Sequence, residues 1–568
     1  MSHHMYILGI NFSSHDTSAC LVRDGELVAF IEEERLTRIK HTSAFPERAI
    51  AKILADAHIT LKDIDYIALP TTHAMPIGTV LSFHMSFGIR NFIPLLMKHV
   101  RYRFKFYRAL RRFQSRVDKK KTKIVFVEHH MSHMANAFLV SPFQKAAIFT
   151  VDNNGDGLSS RLGVGEGNTI TTLRTFPISE SIGNVYYLTT QFLGFSEEGG
   201  EGKVMGLSSY GDPETFIHVF RDMVRLRDDG SYTLNKSYFS AIPKGLLNCD
   251  VQLSELFIHQ VGPARKHSEP LTQVHYDIAA ALQKITEETI VHVLKHLHAR
   301  TQLDTLVLAG GVTLNSVMNG KLHRLTPFKE IFIQPLSYDG GNAIGASFYV
   351  WNVLLGNTKR FQFTSCYLGP AFSTEQIRAE LQEMKLPFEE VDDPSSCAAD
   401  LIANGKIIGW FQGRMEAGAR ALGNRSILAN PRMAEMKDIV NAYVKHREPF
   451  RPFAPAILVE RVGAYFDDTL PVPFMERVFD VRKERRADIP AVTHVDGTGR
   501  LQTVSQEQNP RFYKLIQAFE QRTGVPVVLN TSFNIRGEPI VCTPADAIRC
   551  FYSTGMDALI LDRFLLKK

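Results

Sequence analysis

The sequence predicts an α/β chain of two domains, with the first assembled from two copies of one β-rich pattern. Three observations carry this. Short apolar runs at Met5–Ile10, Ala146–Val151, Thr305–Ala309 and Ile331–Gln334 read as buried strands. Helical periodicity appears between them, as in Glu47–Ala57 (Ile50, Ile53, Leu54) and in the long amphipathic stretch Tyr276–Ala299. A strand, a polar turn with an Asp, and a hairpin occur in that order twice, once from Met5 and again from Lys145.

In chain order, Met5–Ile10 is followed by Ser18–Val22 and Glu26–Ile31, which pair around Asp24-Gly25, a hairpin signal. The second copy has Ala146–Val151, a turn over Asn153–Gly157, then Ser160–Val164 and Thr169–Arg174 around Gly165–Gly167. Asn342–Leu354 reads as a helix. Periodicity fades over Gly356–Pro370, which marks a domain boundary, so residues 1–360 form one domain and 371–568 a second α/β domain.

The composition is that of a globular protein: 568 residues, 44% hydrophobic, 22% charged and a net charge of +6. It excludes disordered, collagenous and disulfide-scaffold classes. Six cysteines without a CxxC pair suit a reducing compartment, and no basic-then-apolar leader opens the chain, so a cytoplasmic location is expected. Tyr66–Ile89 lacks charged residues, but Pro70 and Pro76 break it as a membrane span.

Candidate chemistry in the first domain starts with His129 and His133. They lie at i and i+4 where a strand runs into a helix, a spacing that lets two imidazoles reach one metal. His130 stands where HExxH has its glutamate, so a zinc-protease reading lacks its base. Asp152 ends the strand Ala146–Val151, and Asp339 follows the strand Ile331–Gln334. Strand C-termini are where α/β sheets place ligands. The set of two imidazoles and two carboxylates suits Fe(II), Zn or Mn. Asn154-Gly155-Asp156-Gly157, Gly310-Gly311 and Gly340-Gly341 follow strands, where glycine lets backbone N–H groups approach phosphate. No Walker A sequence is present. Three such loops with a duplicated hairpin resemble the actin–hexokinase–Hsp70 (ASKHA) nucleotide fold.

The second domain carries Arg414, Arg420, Arg425 and Arg432 amid glycines, then Lys445-His446-Arg447-Glu448-Pro449-Phe450-Arg451, His494–Arg500 and Leu529–Glu538. Cations set among Gly, Asn and Ser, rather than on Glu-rich helices, suit an anion site.

With these stretches on view, the chain resembles the NodU/CmcH family of O-carbamoyltransferases from end to end. Matching motifs are Ser14-His15-Asp16-x-Ser18-Ala19, Glu32-Glu33-Glu34-Arg35-x-x-Arg38-x-Lys40-His41, His129-His130-x-x-His133, Glu201-Gly202-Lys203-x-Met205-Gly206-Leu207 and Gly310-Gly311-x-x-x-Asn315. The resemblance implies a duplicated actin-like domain that transfers the carbamoyl group and a YrdC-like domain that makes carbamoyl adenylate from carbamoyl phosphate and ATP, with Mg2+. His129, His133, Asp152 and Asp339 would hold Fe(2+) or another divalent metal. His15 would be a general base or adenylate contact, with Lys40 near it. Asn154, Gly155, Asp156, Gly310, Gly311, Asn315 and Gly340 would bind carbamoyl adenylate. Arg420, Lys445, Arg451, Arg500, Asn530 and Ser532 would hold carbamoyl phosphate and ATP. A hydroxyl-bearing acceptor and no nucleic acid are the implied partners, and a homodimer is compatible.

Two departures stand out. The family's Met-Glu-Phe-Gly-Pro-Arg is Met415-Glu416-Ala417-Gly418-Ala419-Arg420 here, a less rigid loop before Arg420. The usual Asp-Gly is Asp152-Asn153, where Asn tolerates left-handed φ. A threonylcarbamoyl-tRNA synthase/transferase fusion is the main rival. A sugar kinase of the actin-like class leaves the histidines unexplained, and a non-enzymatic adaptor leaves the ordered motifs unexplained. The charge is uneven: Lys98–Lys123 holds twelve cations and one acid, Asp118, so this segment carries +11 and the rest of the chain −5. Interleaved with Phe104, Phe106, Tyr107, Leu110 and Phe113, it reads as a solvated helix or as a lid or docking face for an anionic or lipid-linked acceptor.

Overall fold

The computed structural model describes residues 4–12, 15–71, 92–118, 120–195, 199–243 and 249–568. Ser14, Lys119 and residues 72–89 of the apolar Tyr66–Ile89 run lie outside the described residues. The chain divides into two compact units. One is Met1–Val28 with Ser43–Phe363; the other is Ala29–Thr42 with Thr364–Lys568. The segment Ala29–Thr42, with the Glu32–His41 motif, therefore groups with the second unit, although the sequence expectation placed all of 1–360 together.

The first unit contains two five-stranded sheets. In the first, β1 (Tyr6–Asn11), β2 (Ser18–Arg23), β3 (Glu26–Glu32), β4 (Tyr66–Leu69) and β5 (Lys123–Phe126) run in the order β3-β2-β1-β4-β5. In the second, β6 (Lys145–Gly155), β7 (Leu158–Glu166), β8 (Thr169–Pro177), β9 (Thr305–Ala309) and β10 (Glu330–Ile333) run β8-β7-β6-β9-β10. The two orders are the same. In each, the central strand pairs antiparallel with its hairpin neighbour and parallel with the strand after the crossover. The repeated pattern in the sequence is thus a repeated topology.

Each hairpin turn is set by local chemistry. Asp24 and Gly25 have φ 49 and 82, and Asp156 and Gly157 have φ 48 and 88. Positive φ at both turn residues matches the right-handed twist of the flanking strands. The turn expected over Asn153–Gly157 is narrower than predicted. β6 runs on to Gly155 through an irregularity after Val151, and the left-handed residue is Asp156, not Asn153.

Helices α1 (Glu47–Asp56), α2 (Phe92–Gln114), α3 (His129–Phe138), α4 (Gln273–Thr301), α5 (Ser316–Leu325) and α6 (Asn342–Phe348) pack around these sheets. The helix predicted over Asn342–Leu354 is α-helical only to Phe348. Its last turns, Tyr349–Leu354, widen into a π-helix. α3 follows β5 and α6 follows β10, so they are the matching helices of the two copies. They lie side by side: a Cβ on Gly345 would overlap the Ser132 carbonyl, and one on Gly9 of β1 would overlap the Ala343 carbonyl. α2 carries much of the basic segment. Phe106, Leu110 and Phe113 are buried, with Phe106 stacked on Phe12 at 4.5 Å, while Lys105, Arg108, Arg111, Arg112 and Phe104 face outward. Among the described residues no helix is long and apolar enough to cross a membrane.

The second unit is built on an eight-stranded mixed sheet. Its strands are β11 (Glu389–Glu390), β12 (Ile408–Phe411), β13 (Arg425–Ala429), β14 (Ala454–Leu458), β15 (Gln502–Val504), β16 (Val527–Ser532), β17 (Ala558–Leu561) and β18 (Phe564–Lys567). Their order is β11-β18-β17-β12-β13-β16-β14-β15. Trp410, Ile427, Leu428, Ile457, Val528, Leu559 and Ile560 form its apolar interior, and the Trp410 indole N–H donates to the Gly423 carbonyl.

Because the α3–α6 crossing leaves no room for a side chain, Gly345→Ala should lower the unfolding free energy by about 1–3 kcal/mol. Gly202→Ala, in a helix where a Cβ meets nothing within 4 Å, should not lower it. Denaturant titration of both variants checks this; equal stability would show that the two helices can move apart without cost.

Candidate functional site: a buried ligand cluster and a cationic cluster

The first site forms where the two sheet copies present their strand ends. α3 begins at His129 because Glu128 caps it, its carboxylate accepting from the backbone N–H groups of His130 and Met131. Helical spacing then points His129 and His133 the same way. Asp152 comes from β6, and Asp339 from the turn after β10. All four residues are buried, and one ligand atom from each falls within 4.8 Å of the others.

The separations are telling. His133 Nε2 lies 3.1 Å from His129 Nε2, 3.1 Å from Asp152 Oδ2 and 3.6 Å from Asp339 Oδ1. His129 Nε2 lies 3.4 Å from each of the same two oxygens. Ligands at about 2.1 Å from one ion sit about 3.0–3.4 Å apart, depending on geometry. Two imidazoles and two carboxylates converging in a buried site call for positive charge, which protons on the imidazoles or a metal ion can supply. The four residues are a candidate metal site, and the donor set fits. Burial opposes a charge on His129, but Asp339 and Asp152 outweigh it and lift its pKa to about 10.

His130, by contrast, turns to Thr150 on β6 (3.0 Å), and burial, with His129 and His133 adding, holds it well below the ordinary imidazole range. It is a packing residue. Gly155 has a plain reason to be glycine: the His129 ring lies where its Cβ would be. Asp156 accepts from the His129 backbone N–H (3.1 Å) and from the Thr71 hydroxyl (2.9 Å), so this loop positions α3. Asn154 lies in the last turn of β6. Gly310 and Gly311 pass close to Val151 and Asp152, and Gly340 close to Tyr338 and Asp16. Asn315 caps α5 and exchanges two hydrogen bonds with Gln283.

His15 is half exposed, and its Nδ1 pairs with Asp16 at 2.8 Å. That bond, with Asp339 and Asp152 adding against burial, raises its pKa to about 10. The Asp16 carboxylate beside it favours the protonated imidazole. Lys40 groups with the second unit, where its charge acts on Lys445.

The second site gathers cations. Lys445 ends a π-helical turn, Val440–Lys445, and is buried. Its ammonium donates to the Ser532 carbonyl (2.7 Å) and hydroxyl (3.2 Å) and to the Asn534 carbonyl (2.9 Å) and side chain (2.6 Å). Lys445 thus ties down the loop after β16. Burial, then Arg447 and Arg451, pushes its pKa well down. Arg500 is pushed down by burial and by Arg420, Arg447 and Arg451; Arg420 falls to about 10 from burial and Arg451. Mutual repulsion among four guanidinium groups is relieved by an anion. Arg447 extends the predicted set. Its Nε donates to Asn441 at 2.7 Å and its guanidinium lies over the Phe453 ring. Its place two residues after Lys445 was a signal available in the sequence. Asn530 donates to the Ala421 carbonyl (3.2 Å) and to Gln502 (2.7 Å), which fixes the chain just after Arg420.

The loop before Arg420 lacks the family's Phe and Pro but is anchored otherwise. The Glu416 carboxylate accepts from the backbone N–H groups of Leu422, Asn424 and Arg425, Ala417 N–H donates to the Cys366 carbonyl, and Arg35 donates to the Gly418 carbonyl. Arg38 ties the same motif to the carbonyls of Pro539 and Ile540.

A family model described as carbamoyltransferase N-terminus matches residues 6–348, and one described as carbamoyltransferase C-terminus matches residues 399–568. The chain is 42% identical to nodulation protein NolNO of Sinorhizobium fredii, over 98% of this chain and 80% of that one. It is 29% identical to the 3'-hydroxymethylcephem-O-carbamoyltransferase of Streptomyces clavuligerus, over 79% of this chain and 81% of that one. A solved structure, (R)-2-hydroxyglutaryl-CoA dehydratase component A of Acidaminococcus fermentans, overlaps 61% of this chain and 97% of its own, at 15% identity and a TM-score of 0.33. With both family models matched in order along it, the chain belongs to the carbamoyltransferase family.

Proposed function

We propose that the protein is an ATP-dependent O-carbamoyltransferase that moves a carbamoyl group from carbamoyl phosphate, through carbamoyl adenylate, to a hydroxyl of a small molecule, natural product or glycan. The observation that carries this reading is a pair of sites of opposite character: a buried cluster of two imidazoles and two carboxylates in one unit and a cluster of guanidinium groups in the other. In this reading the first unit is the actin-like transferase and the second is YrdC-like.

In the second unit, Arg420, Arg447, Arg451 and Arg500 hold the phosphates of carbamoyl phosphate and ATP-Mg2+, and Lys445, Ser532 and Asn530 shape the site. Hydrolysis of carbamoyl phosphate leaves carbamate and phosphate. Carbamate oxygen then attacks the α-phosphorus of ATP, giving carbamoyl adenylate and pyrophosphate. In the first unit, His129, His133, Asp152 and Asp339 would hold a divalent metal such as Fe(2+), which supplies Lewis acidity toward a hydroxyl or carbonyl oxygen. The glycine loops around Gly155, Gly310 and Gly340 receive the adenylate. His15, paired with Asp16, contacts the adenylate phosphate as AMP departs. The acceptor oxygen forms its bond to the carbamoyl carbon, the bond to the AMP oxygen breaks with its electron pair staying on AMP, and the acceptor's proton passes to solvent. The basic outward face of α2 is the docking face for an anionic or lipid-linked acceptor.

With ATP, carbamoyl phosphate, Fe(II) and an acceptor, the protein should release pyrophosphate and AMP. His129→Ala should lose acceptor carbamoylation yet keep pyrophosphate release, and Arg500→Ala should lose pyrophosphate release and be rescued by preformed carbamoyl adenylate. ADP as the sole nucleotide product would sink this route, and stimulation by tRNA alone would favour the RNA-modifying rival. Metal affinity should rise with pH. With His129 raised to about 10 in the metal-free site, an incoming metal must displace a proton. That is worth roughly tenfold in affinity per pH unit per proton, up to that pKa. A competition titration from pH 6.5 to 8.5 reads it, and a flat profile would mean that other donors hold the ion. Charge-neutral replacement of Lys105, Arg108, Arg111 and Arg112 should raise the acceptor KM with kcat kept; an unchanged KM would leave this face a solvated surface.

A further inference from the structure

Asn342 is the first residue of α6 and is fully buried, at 0% exposure. Its side-chain nitrogen lies 3.0 Å from His133 Nε2, while its Oδ1 is sealed from solvent and has no hydrogen-bond donor. His133 Nε2 is the same atom that faces Asp152, Asp339 and His129. The other ring nitrogen, Nδ1, has no partner. The polar edge of His133 that meets the cluster is therefore Nε2, and Asn342 is the amide beside it.

With a metal on the Nε2 lone pair, His133 can neither accept from the amide nor donate to it, so the amide atom that faces the cluster must find its partner in the ion, and of the two only the oxygen can ligate. With a proton on Nε2, the NH2 group and Nε2 would be two donors facing each other. The two ends of an amide have nearly the same shape, and hydrogen-bond chemistry decides which way it points. Among the described residues Oδ1 has no donor on its present side, so the turn gives up no hydrogen bond made by the oxygen.

We infer that Asn342 belongs to the metal site and presents its carbonyl oxygen to the ion held by His129, His133, Asp152 and Asp339, as a fifth, neutral donor. The inference rests on the reading of these four residues as metal ligands. It changes the expected donor set from two nitrogens and two oxygens to two nitrogens and three oxygens. Added oxygen donors shift a site away from closed tetrahedral coordination and toward metals that accept five or six ligands. It also gives α6 a reason to begin where it does: Asp339 and Asn342, three residues apart, deliver their oxygens from one turn.

Cobalt(II) substitution tests this in the full-length protein, because its visible absorption strengthens as coordination falls from five to four. Wild type should bind one Co(II) with a weak spectrum. Asn342→Ala should bind it about 10–100-fold more weakly, as loss of a residue at or behind a ligand usually does, with a stronger, shifted band. Asn342→Asp, of the same shape and with an oxygen on either side, should keep the wild-type spectrum, and it serves as the test if the alanine variant does not fold. A wild-type spectrum and affinity in Asn342→Ala, or a four-coordinate spectrum in Asn342→Asp, overturns the inference about Asn342 alone. No Co(II) uptake by wild type overturns it together with the metal reading.

Discussion

The seating of α6 is the constraint on which the first unit depends. That helix lies so close to β1 and to α3 that neither Gly9 nor Gly345 could carry a side chain. The close approach puts the turn before α6, with Asp339, opposite the first turns of α3, with His129 and His133. The chemistry is thus bound to the core: the same interlock that excludes water from the helix crossing also keeps the carboxylates and imidazoles dry.

Duplication explains why this arrangement is available. Each copy of the five-stranded sheet ends in a helix after its last parallel strand, and each sends a polar loop out from its central strand. The two terminal helices meet as a pair. His15 and Asp16 follow β1, and Asp152 lies within β6. A single copy would supply half of the ligands.

The two units solve opposite electrostatic problems. In the first, the Asp339 and Asp152 carboxylates raise the affinity of His129 for a proton, a load that a cation removes. In the second, burial and mutual repulsion lower the affinity of Arg420, Arg500 and Lys445 for theirs, a load that an anion removes. Both are states of stored repulsion, or of unpaired polarity, that a ligand relieves. The supporting hydrogen bonds are of a different kind: Glu416 to three backbone N–H groups, Lys445 to the Ser532 and Asn534 loop, Glu128 at the head of α3. These are satisfied within the chain and hold the charged groups still.

Local chemistry in the sequence determined a good deal by itself. Apolar runs defined the strands, because a buried strand needs little more than a short stretch of Val, Ile and Leu. The Asp-Gly turns and the i, i+4 histidines depend on neighbours in sequence, and so both were legible there. The ordered motifs also showed the family. What tertiary structure decided was which distant residues meet. It grouped Ala29–Thr42, with Lys40, Arg35 and Arg38, with the second unit, although the strand leading into it belongs by sequence to the first. It turned His130 away from its neighbours, since burial against β6 left Thr150 as its partner. It placed the Asn342 amide beside His133, 209 residues away in the chain. Pairings of this kind follow from how sheets and helices close on one another, and no window along the chain contains that information.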